Sequence, residues 1–177
     1  MSEKRRAVFL DRDGTLIEEV DFLSRIEDMR LFPYTFDSLR SLKNGGYLLI
    51  VVTNQSGISR GLYTEADMHA IHDEMNLQLD GMIDEFCFCP HLPDEGCACR
   101  KPNLGMIEIA LAKFDINLKS SWVIGDKNLD RELANNAGAR GILVRTGYGV
   151  DHEKEFGYSK DVVDDLSQAV ELILAET

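Results

Sequence analysis

The chain has 177 residues, of which 44% are hydrophobic and 28% are charged, and this mixture excludes disordered and fibrous proteins. The formal net charge of -12 repels polyanions, so we expect neither nucleic acid nor an anionic membrane surface as a partner. The apolar run that follows the basic residues 1–6 is too short for a signal peptide or a membrane span, which predicts a cytoplasmic protein, and we expect a monomer.

Short apolar runs alternate with longer amphipathic stretches, a pattern that is typical of repeated β–α units and of a parallel sheet. The predicted strands are, in chain order, Ala7–Leu10, Tyr47–Val52, Phe86–Cys89, Trp122–Ile124 and Gly141–Val144. Helices are predicted between Pro33 and Gly45, from Thr64 to Leu79, over Met106–Phe114 and up to Gly138, and the tail Val162–Ala175 is expected to add a short edge strand and a last helix. The expected fold class is α/β, with three layers (α/β/α), a mainly parallel sheet and no interval long enough for a large cap domain.

Polar residues follow three of the predicted strands, at the sheet edge where ligands bind in folds of this kind. Asp11 and Asp13 follow the first strand, Thr53 the second and Asp126 the fourth, while Lys101 precedes a predicted helix. Phosphoryl transfer needs a nucleophile, positive charge around the phosphoryl oxygens and a proton for the leaving group. We predict that Asp11 is a nucleophile that forms an aspartyl-phosphate and that Asp13 is the general acid and base.

A carboxylate and a phosphate dianion repel each other, so attack by Asp11 needs a hard cation such as Mg²⁺, which prefers oxygen ligands. We predict that Asp11 and Asp126 bind Mg²⁺ through their side chains and that Asp13 also faces it, through its backbone carbonyl. Thr53 and Lys101 are predicted to complete the catalytic set by contacting the phosphoryl oxygens. The alternative is that these residues are only turn formers, strand ends and a helix cap.

All four cysteines lie between Cys87 and Cys99. Three of them, with one histidine, have the C-x-H and C-x-C spacing of a closed tetrahedral Zn²⁺ site, whose predicted ligands are Cys89, His91, Cys97 and Cys99. The loop between these pairs is almost without apolar residues, so a structural metal would hold its shape. Disulfides in an oxidised sample and free cysteines are the alternatives, and Cys87 is predicted to be a core residue.

Four motifs in order resemble the haloacid dehalogenase-like hydrolases: D-x-D-G-T at Asp11–Thr15, then Thr53, then Lys101, then G-D-x-x-x-D at Gly125–Asp130. The resemblance extends from about Val8 to Gly149, which is most of the chain. It implies a Rossmann-like sheet and a single domain of this family over residues 1–177.

The cysteine loop narrows the resemblance to a branch with heptose bisphosphate phosphatases and histidinol-phosphate phosphatases, which carry a similar C-P-H…C-x-C-R-K-P loop. The segments Val52–Gly61, Gly125–Lys127 and Arg145–Gly147 look more like the heptose enzymes. The resemblance therefore implies a small phosphorylated metabolite as substrate, D-glycero-D-manno-heptose 1,7-bisphosphate, which loses its 7-phosphate in nucleotide-activated heptose (lipopolysaccharide core) biosynthesis. Histidinol phosphate is the alternative substrate, and a non-catalytic, zinc-stabilised phosphometabolite-binding protein is the alternative of another class.

The sugar pocket is expected to lie next to these motifs. By position, its predicted residues are Glu19, Val20, Asp21, Phe22, Asn54, Gln55, Ser56, Arg60, Arg100 and Lys127. Arg100 is expected to recognise the distal phosphate. The segment Glu18–Phe22 departs from the His-Gly-Tyr-like segment that heptose enzymes often have there, and His69 and His72 are expected to be surface or packing residues.

Overall fold

The computed structural model describes residues 4–156 and 161–176, and within these ranges it contains six strands and six α-helices. The strands are β1 (Ala7–Leu10), β2 (Leu48–Asn54), β3 (Glu85–Cys89), β4 (Trp122–Gly125), β5 (Arg140–Val144) and β6 (Val162–Val163). The helices are α1 (Thr35–Asn44), α2 (Glu65–Gln78), α3 (Gly105–Lys113), α4 (Asn128–Ala137), α5 (Gly149–Phe156) and α6 (Leu166–Ala175). None of the helices in the described ranges is long and apolar enough to cross a membrane.

All six strands are parallel, in the order β3-β2-β1-β4-β5-β6. The central strand β1 has its last residue, Leu10, in register with Val51 of β2 on one side and with Ile124 of β4 on the other. The chain runs outward from β1 through β2 to β3 and then crosses to β4, so the strand order reverses beside β1. The carboxyl ends at such a reversal form a crevice, which places the residues after β1, β2 and β4 around it.

Alternate residues of β1 pack into two separate cores, because successive side chains of a strand point to opposite faces. Val8 and Leu10 pack in one core with buried residues of α1, α2 and α6. Ala7 and Phe9 pack in the other core with buried residues of α3 and α4. The predicted three-layer α/β/α fold with a parallel sheet is confirmed.

The local signals for helix ends act as the sequence predicts. Gly45 is the residue at which α1 ends, and Gly138, at φ 70°, ends α4 in the left-handed conformation that glycine adopts without steric cost. Thr64 caps α2: its hydroxyl accepts from the backbone N–H of Asp67, and the Asp67 carboxylate accepts from the N–H of Thr64.

Two elements differ from the prediction. Strand β2 continues two residues past Val52, because Thr53 and Asn54 still pair with β3. Thr53 therefore lies inside β2, one residue before its end, and not directly after the strand. Helix α5 (Gly149–Phe156) is not predicted from the sequence, since its mostly charged residues have no clear apolar repeat.

The long connection between β1 and α1 is a folded loop and not a cap domain. It doubles back through backbone bridges that pair Ile17 with Asp13 and with Leu31. Its apolar side chains Leu23 and Met29 are buried in the core. The described part of the chain therefore has no large cap domain over the crevice, as predicted.

Phe9 is fully buried in β1, two residues before Asp11, so Phe9→Ala is expected to destabilise the fold. Removing a buried aromatic ring leaves a cavity and costs about 3–5 kcal/mol. Urea denaturation of the purified variant measures the loss in the free energy of unfolding. Leu77→Ala is the control, because Leu77 is 73% exposed on α2 and should change that free energy by no more than about 0.5 kcal/mol. Equal losses in the two variants would contradict this assignment of the core.

Candidate active site

Lys101 is the buried positive charge at the centre of the crevice. Its Nζ lies 3.0 Å from Asp11 Oδ1 and 2.7 Å from Asp130 Oδ1, and it donates to the backbone carbonyl of Val52 at 2.9 Å. Burial alone would lower the pKa of Lys101, but the charges of Asp11 and Asp130 outweigh it and raise the pKa above its ordinary value. Lys101 therefore stays charged beside the predicted nucleophile.

Three carboxylates lie together beside this lysine: Asp11 follows β1, Asp126 follows β4 and Asp130 is in the first turn of α4. Asp11, Asp126 and Asp130 each present an oxygen within 4.8 Å of the other two, an arrangement that can hold a metal ion. Asp126 is fully buried, and its Oδ2 accepts from the backbone N–H of Tyr148 at 2.9 Å. Its other oxygen, Oδ1, is buried without a hydrogen-bond partner in the described part of the chain. A buried carboxylate oxygen that accepts no hydrogen bond, beside two more carboxylates, is the donor set of a hard cation such as Mg²⁺.

The raised pKa values of two of these carboxyl groups agree with a site for a divalent cation. Burial, followed by the charge of Asp11, raises the pKa of Asp126 to about 8. Burial also raises the pKa of Asp130, to about 6, although Lys101 opposes the shift. Lys101 contacts two of the three buried carboxylates, and Lys127 Nζ lies 3.9 Å from Oδ1 of Asp126. The raised pKa values agree with a cluster of carboxylates that would fit a bound divalent cation.

Glycines allow the carboxylates to approach the backbone this closely. A Cβ atom on Gly14 or on Gly147 would lie 2.4 Å or 2.2 Å from Asp126 Oδ2, and both glycines have positive φ, at 75° and 56°. A Cβ atom on Gly125 would lie 2.0 Å from Asp130 Oδ2. The glycines of the two motifs therefore make room for the acidic side chains.

The side chain of Asp13 lies outside the group of three carboxylates. Arg12 donates to both of its oxygens, from Nε to Oδ2 and from Nη2 to Oδ1, each at 3.0 Å, and Gln55 Nε2 donates to Oδ2 at 2.9 Å. If Asp13 contacts Mg²⁺ as predicted, it does so through its backbone carbonyl oxygen and not through its side chain. The side chain faces the cavities described below, where a general acid and base is needed.

Arg12 is a buried residue behind Asp13. It is 1% exposed, and its Nη1 lies 3.3 Å from Nε2 of His72. Burial, and next to it the charge of Arg12, lower the pKa of His72 to about 3, so the imidazole is neutral and can accept from Arg12. His72 also stacks on Phe86 with ring centroids 4.6 Å apart, which confirms it as a packing residue, while His69 is exposed.

Two adjoining cavities lie at this edge of the sheet. The smaller has a volume of about 40 Å³, and all four predicted catalytic residues, Asp11, Asp13, Thr53 and Lys101, line it. The larger has a volume of about 310 Å³ and is lined by every residue predicted for the sugar pocket except Arg60. The guanidinium of Arg60 instead lies over the outer ring of Phe22, 5.7 Å from its centroid.

Both signs of charge occur in the larger cavity. Lys127 Nζ lies 3.6 Å from Glu19 Oε2 and 4.8 Å from the ring centroid of Tyr148. Burial raises the pKa of Glu19 to about 7, although Lys127 opposes the shift. The hydroxyl of Tyr148 donates to Asp21 Oδ1 at 3.2 Å. A ligand in this cavity meets the carboxyl groups of Asp13, Glu19 and Asp21 as well as the cations of Lys127 and Arg100.

The four predicted zinc ligands meet in the loop after β3. The sulfurs of Cys89, Cys97 and Cys99 are 3.1–3.6 Å apart, and His91 Nδ1 lies 3.2 Å from Cys99 Sγ and 3.5 Å from Cys89 Sγ. These separations are near the roughly 3.7 Å edge of a tetrahedron with Zn–S bonds of about 2.3 Å and far longer than a disulfide bond. All the cysteines are free, and Cys87 is in the core, so the group can hold a metal ion.

This loop is joined directly to the catalytic residues. Gln55 donates its backbone N–H to the carbonyl of Cys89 at 2.7 Å, and Asn54 Oδ1 accepts from the backbone N–H of Lys101 at 3.0 Å. Arg100 Nη1 donates to the carbonyl of His91 at 3.2 Å. The cysteine loop therefore fixes where Arg100 and Lys101 enter the two cavities.

Sequence reasoning missed several residues of the site. Asp130 was counted within a motif but not as a member of the carboxylate group, although its place one turn after Asp126 was a usable signal. Arg12, flanked by two predicted catalytic aspartates, was a similar signal. Tyr63 and Tyr148 line the larger cavity from distant loops, and nothing in their local sequence distinguishes them.

Comparison with known proteins places the chain in a family. The model of the HAD-hydrolase-like family matches residues 98–169. The chain is similar to D-glycero-D-manno-heptose-1,7-bisphosphate 7-phosphatase of Thermosynechococcus vestitus, at 38% identity over 96% of this chain and 95% of the relative. It is also similar to D-glycero-alpha-D-manno-heptose-1,7-bisphosphate 7-phosphatase of Photorhabdus laumondii, at 36% identity over 95% of this chain and 98% of the relative.

The fold is likewise similar to a solved structure of the same group. The crystal structure of D,D-heptose 1,7-bisphosphate phosphatase from Bordetella bronchiseptica, complexed with magnesium and phosphate, matches with a TM-score of 0.89 and 34% identity, over 97% of this chain and 99% of that chain. Identity at this level over nearly the whole length of each relative shows that the chain belongs to the haloacid dehalogenase-like hydrolases, in the branch that contains the heptose bisphosphate phosphatases.

Proposed function

We propose that this chain is a phosphatase that removes the 7-phosphate of D-glycero-D-manno-heptose 1,7-bisphosphate through an aspartyl-phosphate on Asp11. The observation that carries the proposal is the small cavity in which Asp11, Asp13, Thr53 and Lys101 meet, next to a larger cavity that suits a sugar. The names of the similar proteins, which state this reaction for those proteins, support the choice of substrate.

In the first step, an oxygen of Asp11 bonds to phosphorus while the bond from phosphorus to the sugar oxygen breaks and Asp13 gives that oxygen a proton. In the second step, Asp13 takes a proton from water, the water oxygen bonds to phosphorus, and the bond to Asp11 breaks to release phosphate. Lys101 and the hydroxyl of Thr53 offset the charge on the phosphoryl oxygens in both steps.

Mg²⁺ is the cofactor that we propose for the carboxylate group. Asp11 and Asp126 would hold it, with the backbone carbonyl of Asp13, and Asp130 lies beside them. When bound, it would neutralise the repulsion between the carboxylates and the phosphate. Oδ1 of Asp126, which is buried and accepts no hydrogen bond in the described part of the chain, supports this assignment.

The larger cavity accounts for the preference that we propose. Its cations, Arg100 and Lys127, suit a second phosphate, and its acceptors, Glu19 and Asp21, suit sugar hydroxyls. With one phosphate in the small cavity beside Asp11 and Lys101, a sugar bisphosphate places its other phosphate in the larger cavity, where we propose that Arg100 binds it. The four clustered ligands of the cysteine loop support structural Zn²⁺ as the second cofactor.

Asp11→Asn is expected to lower turnover of the heptose bisphosphate by about a thousandfold or more, because it removes the nucleophile. The fold should remain, since the change takes one negative charge from a group of mutually repelling carboxylates while Lys101 keeps its contact with Asp130. Phosphate release measures the rate, and circular dichroism measures the fold. The control is Asp37→Asn, on the exposed surface of α1, which should keep the parent rate. Turnover by Asp11→Asn at the parent rate would disprove the nucleophile.

Substrate choice is tested by measuring kcat/KM for both anomers of the heptose bisphosphate and for histidinol phosphate. We expect the better heptose anomer to exceed histidinol phosphate by about a hundredfold, because histidinol phosphate has no second phosphate for Arg100. Arg100→Ala should lower kcat/KM for the heptose bisphosphate by about tenfold and change the value for histidinol phosphate much less. A preference of the parent enzyme for histidinol phosphate would replace the proposed substrate, and no activity on any sugar phosphate would favour a binding protein.

Cys97→Ser is expected to lower the zinc content of the purified protein and its melting temperature, because the loop then loses one of four metal ligands. Activity should fall with them, since the loop carries Lys101 into the site. Elemental analysis measures the zinc, and Cys87→Ala is the matched control, because Cys87 lies in the core outside the ligand group and should keep its zinc. Cys97→Ser with a parental zinc content would contradict the assignment.

A further inference from the structure

Gln55 lines the larger cavity, but its side chain is 4% exposed and is occupied by the protein itself. Its Nε2 donates to Asp13 Oδ2 at 2.9 Å and to Thr53 Oγ1 at 2.8 Å. Its Oε1 accepts from Arg12 Nη2 at 3.1 Å and from the hydroxyl of Tyr63. A glutamine amide has two donor hydrogens and two acceptor positions, so these four contacts use its full capacity.

The charges around Gln55 determine which way its amide points. The Nε2 group faces the carboxylate of Asp13, and the Oε1 atom faces the guanidinium of Arg12. Rotating the amide by half a turn would bring an oxygen against a carboxylate and an NH₂ group against a cation, and both contacts are repulsive. The amide therefore has one favourable orientation.

That orientation sets the direction of two groups which act on the phosphate. Because Thr53 Oγ1 accepts from Gln55, the hydroxyl proton of Thr53 must point elsewhere, and Thr53 lines the small cavity with Asp11 and Lys101. Because Asp13 Oδ2 is held by Gln55 and by Arg12, the carboxylate has a single rotamer over the same cavity.

A second set of contacts holds Arg12 and Tyr63, the two residues that donate to Gln55, in place. Arg12 contacts His72, which is stacked on Phe86 of β3. The ring of Tyr63 packs against Gly57, where an added Cβ would lie 2.2 Å from the ring. The side chains of Arg12, Gln55, Tyr63 and His72 are all buried.

We propose that Gln55 is a positioning residue for catalysis and not a sugar ligand: its amide aligns the Asp13 carboxylate with the leaving oxygen and turns the Thr53 hydroxyl toward the phosphoryl group. The inference rests on the proposed phosphatase function. It assigns Gln55 a role different from the sugar contact that its place in the sequence predicts.

The test is a series of aryl phosphates, from phenyl phosphate to p-nitrophenyl phosphate, which contain no sugar and differ in leaving-group acidity. A misaligned general acid harms poor leaving groups most, because p-nitrophenolate departs without a proton. Gln55→Leu should therefore lower kcat/KM for phenyl phosphate by about tenfold more than for p-nitrophenyl phosphate. Gln55→Met should do the same, since it keeps the length of the side chain without adding charge but loses both donated hydrogen bonds.

Gln78→Leu is the matched control, because Gln78 is exposed at the end of α2 and its variant should keep the parent dependence on leaving group. Two outcomes would overturn the inference. An equal loss for all aryl phosphates would exclude the alignment of Asp13, since only the proton that it donates depends on the leaving group, and parent values for aryl phosphates with a raised KM for the sugar bisphosphate would make Gln55 a sugar ligand. The parent enzyme tests the proposed function separately: if it releases no phosphate from either anomer of the heptose bisphosphate, that function fails and the inference with it.

Discussion

The site depends on the confinement of three buried carboxylates around one lysine. Asp11, Asp126 and Asp130 lie within 4.8 Å of one another, and Lys101 contacts two of them. Buried charges of like sign repel strongly, so the protein needs a fixed cation and a fixed geometry to keep them together. The arrangement is unfavourable for stability and favourable for phosphoryl transfer, because the same positive charge that offsets the carboxylates is available to the phosphate.

The parallel sheet supplies the geometry for this confinement. Strands β1 and β4 are neighbours in register, so the residues that follow Leu10 and Ile124 emerge side by side. Gly14, Gly125 and Gly147 then remove the Cβ atoms that would collide with the carboxylates. The order of the strands and the lack of a Cβ atom at these glycines therefore bring the carboxylates together in a buried place, where little water can screen their charges.

Much of this could be predicted from the sequence, because strand ends and motif residues are local signals. The strand Ala7–Leu10 and the meeting of Asp11, Thr53 and Lys101 follow from apolar runs, their polar flanks and the rule for parallel sheets. Contacts set by side-chain direction could not be predicted. The sequence position of Gln55 predicts a sugar contact. In the structure, its side-chain amide instead makes hydrogen bonds to four protein groups that only tertiary packing brings together. Arg60 was placed in the pocket by proximity to Asn54–Ser56, but its guanidinium lies over Phe22.

The cysteine loop explains how a site without a large cap keeps its cations in place. Long side chains such as those of Arg100 and Lys101 lose conformational entropy when they are ordered. Without a cap domain, fewer contacts are available to offset that loss. Here the backbone next to them is fixed twice, by the four clustered ligands that precede Arg100 and by the hydrogen bond from the N–H of Lys101 to Asn54. The ordering cost is therefore met during folding, before any phosphate binds, and the binding energy of the phosphate remains available for the reaction.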